Sequence, residues 1–169
     1  MTRPSRTAVG VAALRAAHLL FDAPPPILDD TVAIHLLDPE TRLRLEGSRA
    51  EAGRPLSVRL RSHIIVRSRF TEDCLSEAVA GGTTQYVVLG AGLDTFAWRQ
   101  PPWASALKIF EVDQPASQLD KAARLNRALL TTPSNVTLVP VDFEHERLDV
   151  RLAAAGLDAS RPAFFSGWA

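Results

Sequence analysis

Cysteine is almost missing from this sequence. The single Cys74 excludes an internal disulfide framework and fits a reducing cytoplasm. Phe70 and Ala78 stand four residues to either side of it on a helical pattern, which makes it a packing residue rather than a nucleophile. Long apolar runs are missing too. None approaches the roughly 18 residues of a membrane span, and the stretch from Val9 to Leu20 is broken by Arg15 and His18. Neither a spanning segment nor a secretory signal is expected. The histidines His18, His35, His63 and His145 are scattered and show no metal-ligand spacing. Net charge is also absent, with 19 basic and 19 acidic residues. It is unevenly spread, because eight arginines between Arg42 and Arg69 face only Glu46 and Glu51. Those arginines are not interleaved with aromatics, so a solvated helix face is preferred over a nucleic-acid footprint. With 46% apolar residues in 169, the chain reads as one soluble domain with a real core.

What is present centres on Gln85 to Asp113. Strand-forming residues Gln85 to Leu89 break at Gly90-Ala91-Gly92, and a second strand over Leu107 to Val112 leads into Asp113. A strand, a glycine turn and a second strand ending in acid make the front half of a nucleotide-type site. Gly90 and Gly92 can take backbone angles closed to other residues and let a ligand lie against the main chain. Glu111 and Asp113, two apart, point to one face where the second strand ends. Asp113 is placed to accept hydrogen bonds from a ribose diol, with Glu111 as the second choice. The third glycine of a dinucleotide motif is replaced by Thr95 and preceded by Asp94. A carboxylate there would repel a pyrophosphate, which favours S-adenosylmethionine, a phosphate-free ligand carrying an ammonium and a sulfonium.

Around this stretch the pattern predicts helices. The first runs from a cap at Ser5 over Val9, Ala12, Ala16 and Leu20, ended by Pro24-Pro25-Pro26. A short one starts at Asp29 or Asp30 and is closed by Asp38-Pro39. A long one covers Pro55 to Ala80, with Leu60, Ile64, Phe70, Cys74 and Ala78 on its apolar face. Asp113 and Pro115 open another helix, to about Leu130, with Ala116, Leu119 and Ala123 buried and Lys121, Arg124 and Arg127 exposed. Val136 to Val141 reads as a strand covered on both sides, ending in Asp142. A helix from Glu144 to Ala155 and a fourth strand over Ala163 to Ser166 follow.

The strings QYVVLGAGLDTFAWR, FEVDQPASQLDKAARL and NVTLVPVDFE, with TAVGVAALRAAH, RSRFTED and RPAFFS around them, resemble the leucine carboxyl methyltransferase-like family of S-adenosylmethionine-dependent methyltransferases, in its bacterial branch. The resemblance implies an α/β, Rossmann-like class I methyltransferase fold. Residues 1–82 would form an N-terminal helical cap, and residues 83–169 the first half, about four strands, of the cofactor-binding domain. It implies S-adenosyl-L-methionine contacts at Arg69, Gly90, Asp113 and the pair Val141-Asp142, beside Gly92 of the glycine turn. Arg69 would pair with the methionine carboxylate, and Asp142 would reach the adenine. The implied activity is O-methylation of a carboxylate or hydroxyl on a small molecule. The alternatives are an inactive cofactor-binding remnant, an NAD-type oxidoreductase and a nucleic-acid-binding helical module. Such a fold uses about seven strands, so a chain with four reads as truncated after Gly167-Trp168-Ala169. The open edge of the fourth strand then offers a surface for self-association.

Overall fold

The computed structural model describes residues 6–167, so the cap expected at Ser5 and the end at Trp168 and Ala169 lie outside the described residues. Helix α1 spans Arg6–Phe21. A 3-10 turn, Ala33–Leu36, follows, then α2 (Pro39–Glu46), α3 (Arg49–Ala52) and the long α4 (Pro55–Ala80). The sheet half contains β1 (Gln85–Leu89), β2 (Lys108–Asp113), α5 (Pro115–Arg127), β3 (Val136–Pro140), α6 (Leu148–Ala154) and β4 (Ala163–Gly167). All strand pairs are parallel, in the order β3-β2-β1-β4. The chain therefore starts in the middle, walks outward through β2 and β3, and returns to the other side of β1. In open α/β sheets this reversal opens a crevice at the carboxyl ends of the strands, where ligands bind. The architecture is Rossmann-like, as the resemblance implied.

Strand alternation divides the sheet into two apolar faces. Tyr86, Val88 and Ile109 face Leu75 of α4 and the Phe96-Ala97 turn. Val87, Phe110, Val112 and Val139 face Leu152 of α6. A third cluster joins Ala12 and Ala16 of α1 to Ala33, Leu36, Leu93 and Leu125, and so fastens the cap to the loop after β1 and to α5.

Four expectations need correction. Asp38-Pro39 does not close a helix but opens one, because the Asp38 carboxylate accepts the Thr41 N–H at 2.8 Å and proline sits at the first helical position. The helix expected from Asp29 or Asp30 is a single 3-10 turn, with Asp30 accepting the Val32 and Ala33 amides. Residues 143–145 form a turn, and helix begins only at Leu148. The apolar faces of α4 and α5 are also rotated. Phe70 and Leu119 are exposed, whereas Arg61 and Ser68 on α4 and Gln118, Lys121 and Arg124 on α5 are buried. Each of these charged groups has a partner that hydrophobic periodicity does not register. Among the described residues, no helix is long and apolar enough to cross a membrane.

Candidate functional site

The crevice holds a cavity of about 220 Å³. Its walls come from the loop after β1 (Gly90 to Asp94), Asp113 at the end of β2, Ser117 of α5, Thr7, Ala8, Val11 and Arg15 of α1, and Arg67 and Ser68 of α4. Cap and sheet thus build it together.

The loop backbone requires glycine at two points, with φ of 65° at Gly90 and 50° at Gly92. At Gly92 a second reason appears. An added β-carbon would come within 3.0 Å of the Ala8 β-carbon, so the cap helix presses on this position. The close approach expected from a ligand is, at Gly92, the approach of α1.

Asp113 lies where the sequence put it. Its Oδ2 accepts the Gly92 N–H at 2.6 Å and its Oδ1 the Gln114 N–H at 2.7 Å, so the carboxylate is oriented at the mouth of the loop. Glu111 does not share this position. It is fully buried and paired with Lys121, whose ammonium also lies 4.6 Å from the centre of the Trp98 ring. Burial pushes the Glu111 carboxyl up to about 7, with Lys121 pulling it back and Asp94 adding to the rise. Neither residue lines the cavity, and the pair offers no carboxylate to a ligand there.

Asp94 does not act as the bare anion inferred from the motif. It is 5% exposed, and Arg15 donates to its Oδ2 at 3.0 Å. Burial would raise its carboxyl, but the charges of Arg15, Lys121 and Arg99 outweigh that and hold it below the usual range. With its charge balanced, Asp94 no longer decides between a pyrophosphate and a sulfonium ligand.

The arginine on α4 also changes. Arg69 points to solvent and pairs with Asp73 at 2.6 Å, while Arg67, two residues earlier, lines the cavity. Both appear in one short string, and only the helix phase separates them. Four other arginines of this basic stretch also have acidic partners. Arg42, Arg44 and Arg54 pair with Glu46, Glu40 and Glu51, and Arg61 is buried against Asp22.

Val141 and Asp142 stand one strand over from Asp113 and do not line the cavity. The Val141 side chain is fully buried, and its amide donates to the Asp113 carbonyl at 2.9 Å. Asp142 is taken up by its own turn. Its carboxylate accepts the Glu144 N–H at 3.1 Å and contacts His145 Nδ1 at 2.9 Å, while its amide donates to Glu146. Asp142, Glu144 and His145 bring ligand atoms within 4.8 Å of one another, but these mutual bonds account for the grouping. His18 is also internal to the fold. Its Nδ1 contacts Asp22 at 2.8 Å and its Nε2 accepts the Ile27 amide at 3.1 Å.

Sequence reasoning missed Arg15, Asp30 and Arg67. A signal for Arg15 did exist, because it lies on the same stripe of α1 as Ala12 and Ala16, and a charge on a buried stripe implies a buried partner.

The lining offers a carboxylate fixed by the Gly92 amide, loop backbone with glycine conformations, and the guanidinium groups of Arg15 and Arg67, which can meet a carboxylate or a phosphate.

The chain is similar to known proteins along nearly its whole length. The leucine carboxyl methyltransferase family profile matches residues 8–168. A putative S-adenosyl-L-methionine-dependent methyltransferase of Frankia alni is 35% identical over 92% of this chain and 54% of its own length. One from Streptomyces coelicolor is 34% identical over 92% of this chain and 47% of its own. One from Bacillus subtilis is 44% identical over a shorter stretch, 47% of this chain and 26% of its own. The chain spans about half the length of the Frankia and Streptomyces relatives. On its fold and on a match that runs nearly end to end, the chain belongs to the leucine carboxyl methyltransferase family.

Proposed function

We propose that the cavity binds S-adenosyl-L-methionine and that the chain serves methyl transfer to an oxygen, a carboxylate or a hydroxyl, of a small molecule. The observation that carries this is the oriented Asp113 carboxylate at the carboxyl end of β2, facing the glycine loop across the Gly92 amide. Asp113 takes the ribose diol, and Arg67 takes the methionine carboxylate in the role first given to Arg69. Asp142 takes the adenine amino group with the lone pairs left beyond the Glu144 amide and His145. The choice of S-adenosylmethionine over a dinucleotide is supported by the relatives, whose names carry that cofactor, rather than by Asp94. The methyl group of a sulfonium is already activated, so the protein's part is alignment of donor and acceptor and exclusion of water. A carboxylate acceptor is already the nucleophile and needs no base, whereas a hydroxyl acceptor gives its proton to a base or to water as its oxygen takes the methyl group and S-adenosylhomocysteine leaves.

Calorimetry with S-adenosylmethionine, S-adenosylhomocysteine and NAD tests the assignment. Binding of the two adenosyl ligands and not of NAD is expected. Asp113→Asn, which keeps an acceptor for the Gly92 amide, should lose roughly 1–3 kcal/mol of that binding, the scale for a diol left without its partner. Unchanged affinity in this variant would show that another residue holds the ribose. Among the described residues β4 pairs only with β1, and its outer edge, on the strand where Phe165 is half exposed, is proposed as a self-association surface. Sedimentation across a concentration series reads this, and a monomer throughout rejects it.

A further inference from the structure

We propose that Arg15 is a positioning residue for the cofactor site. Acting from the cap, it holds the loop after β1 in the conformation the ligand meets, so that cap docking and ligand binding are coupled. As a statement about ligand affinity, this rests on the adenosyl assignment above.

Arg15 sits on α1, 3% exposed, and reaches across to a loop 78 and 79 residues later in the chain. One terminal nitrogen donates to Asp94 Oδ2 and the other to the Leu93 carbonyl, both at 3.0 Å. The other oxygen of Asp94 accepts the Phe96 N–H at 2.9 Å, so a single carboxylate ties α1 to the turn that starts there. Arg15 Nε lies 3.6 Å from Asp30 Oδ2. Asp30 in turn accepts the Thr95 hydroxyl at 2.6 Å and stands 3.5 Å from Arg99 Nε. Leu93, Asp94 and Thr95 are therefore each held from the cap, through a carbonyl, a carboxylate and a hydroxyl. On the opposite side the loop is held by the bond from the Gly92 amide to Asp113.

A loop carrying two glycines at positive φ has little preference of its own for this conformation. Left unfastened, it would spread over many states, and a ligand would have to order it on binding. Arg15 also lines the cavity, and each of its terminal nitrogens gives one N–H to the loop, so its hold on Leu93 and Asp94 is the part of its effect that loop exchange reads. Arg61 supplies an internal comparison. It too is 3% exposed and bonded to a carboxylate, Asp22, and to a carbonyl, that of Ala52, but all its partners belong to the cap.

The test compares Arg15→Met with Arg61→Met in the full chain. S-adenosylhomocysteine affinity is measured by calorimetry well below each unfolding midpoint, and amide hydrogen exchange is followed at Asp94 and Phe96. Arg15→Met should weaken binding on the order of ten- to a hundredfold, the usual range of coupling between sites. It should also speed exchange at both amides. Arg61→Met should leave affinity and loop exchange near wild type even where it costs more stability. Arg15→Lys, which keeps the charge but not the two-armed geometry, should fall between wild type and Arg15→Met, and it replaces the methionine variant if that fails to fold. Equal affinity and equal loop exchange in wild type and the Arg15 variants overturn the proposal, as does an equal affinity loss in Arg61→Met. If wild type binds no adenosyl ligand, the proposed function falls, and the exchange comparison alone decides the role of Arg15.

Discussion

The sheet half and the cap solve the same problem, burying a face, by different means. Around the sheet the interior is apolar, with Val87, Val88, Ile109, Phe110, Val112 and Val139 all buried. In the cap the interior is partly ionic. Arg15, His18, Asp30 and Arg61 lie inside, while Leu43, Leu56, Leu60 and Phe70 stay on the outside. Burial of apolar surface is indifferent to direction, whereas a guanidinium fork fixes distance and angle. A cap that must set the geometry of a loop gains more from the second kind of contact than from the first. Replacing a buried ion pair with well-packed apolar residues is often neutral for stability, so buried charge here points to placement rather than to strength.

The sharpest way to break this division is at its seam, Gly92. Valine there would meet both a φ of 50° and the Ala8 β-carbon at 3.0 Å. Backbone strain and overpacking add, so Gly92→Val should cost roughly 3–5 kcal/mol in urea unfolding. Gly82 is the control. Its φ is 98° but nothing lies within 4 Å of an added β-carbon, so Gly82→Val should lose only the backbone share, roughly 1–3 kcal/mol. Equal costs at the two positions would mean that α1 does not press on the loop.

The sheet half has an ionic pair of its own against β2, Glu111 with Lys121, and pH sharpens the comparison. Folding raises the Glu111 carboxyl from 4.5 to about 7 by burial. Between those values the unfolded chain has already lost this proton while the folded one keeps it. The contribution of Glu111 is therefore fully present below about 4.5 and is lost as pH rises through about 7. The loss by pH 8 is on the order of 3 kcal/mol. Glu111→Gln removes the titration, so the stability difference between variant and wild type should shift in favour of the variant from pH 5 to pH 8. A difference independent of pH would show that Lys121 keeps the carboxylate charged throughout. Asp94 and Asp22, both held below the usual carboxylate range, act in the opposite direction and are common to both proteins.

The same division explains what could be read from the residues alone. Strand β1 falls on Gln85 to Leu89 as expected, and β2 and β3 are within a residue, because each is an apolar run between turn residues; β3 is less covered than expected, with Thr137 exposed. The ends of α4 are marked by Pro55 and Gly81. The faces of α4 and α5 were not legible. Lys121 is buried because Glu111 lies beneath it, and Arg124 because it donates to the Leu36 carbonyl 88 residues away. Local periodicity counts both as polar and turns them outward. At the site, Gly90, Gly92 and Asp113 are adjacent in one motif and were found together. Arg15, Asp30 and Asp94 come from three distant stretches and meet only in the fold.

Arg67 and Arg69 supply the smallest and most specific comparison, since they share a helix, a charge and a sequence motif and differ only in the direction of the side chain. Arg67 lines the cavity, and Arg69 is half exposed and bonded to Asp73 one turn on. An exposed pair at that spacing contributes about 0.3–0.5 kcal/mol, so Arg69→Met should leave S-adenosylmethionine affinity unchanged and stability nearly so. Arg67→Met removes a cation proposed to meet a carboxylate and should lose about 1.5–3 kcal/mol of binding, the range for a charge-assisted hydrogen bond. The loss should shrink for a ligand lacking the amino-acid carboxylate, such as methylthioadenosine, because only that group is addressed. If Arg67→Met binds both ligands as wild type does while Arg69→Met does not, the helix phase at the cavity is wrong by about 200°, the rotation of two residues.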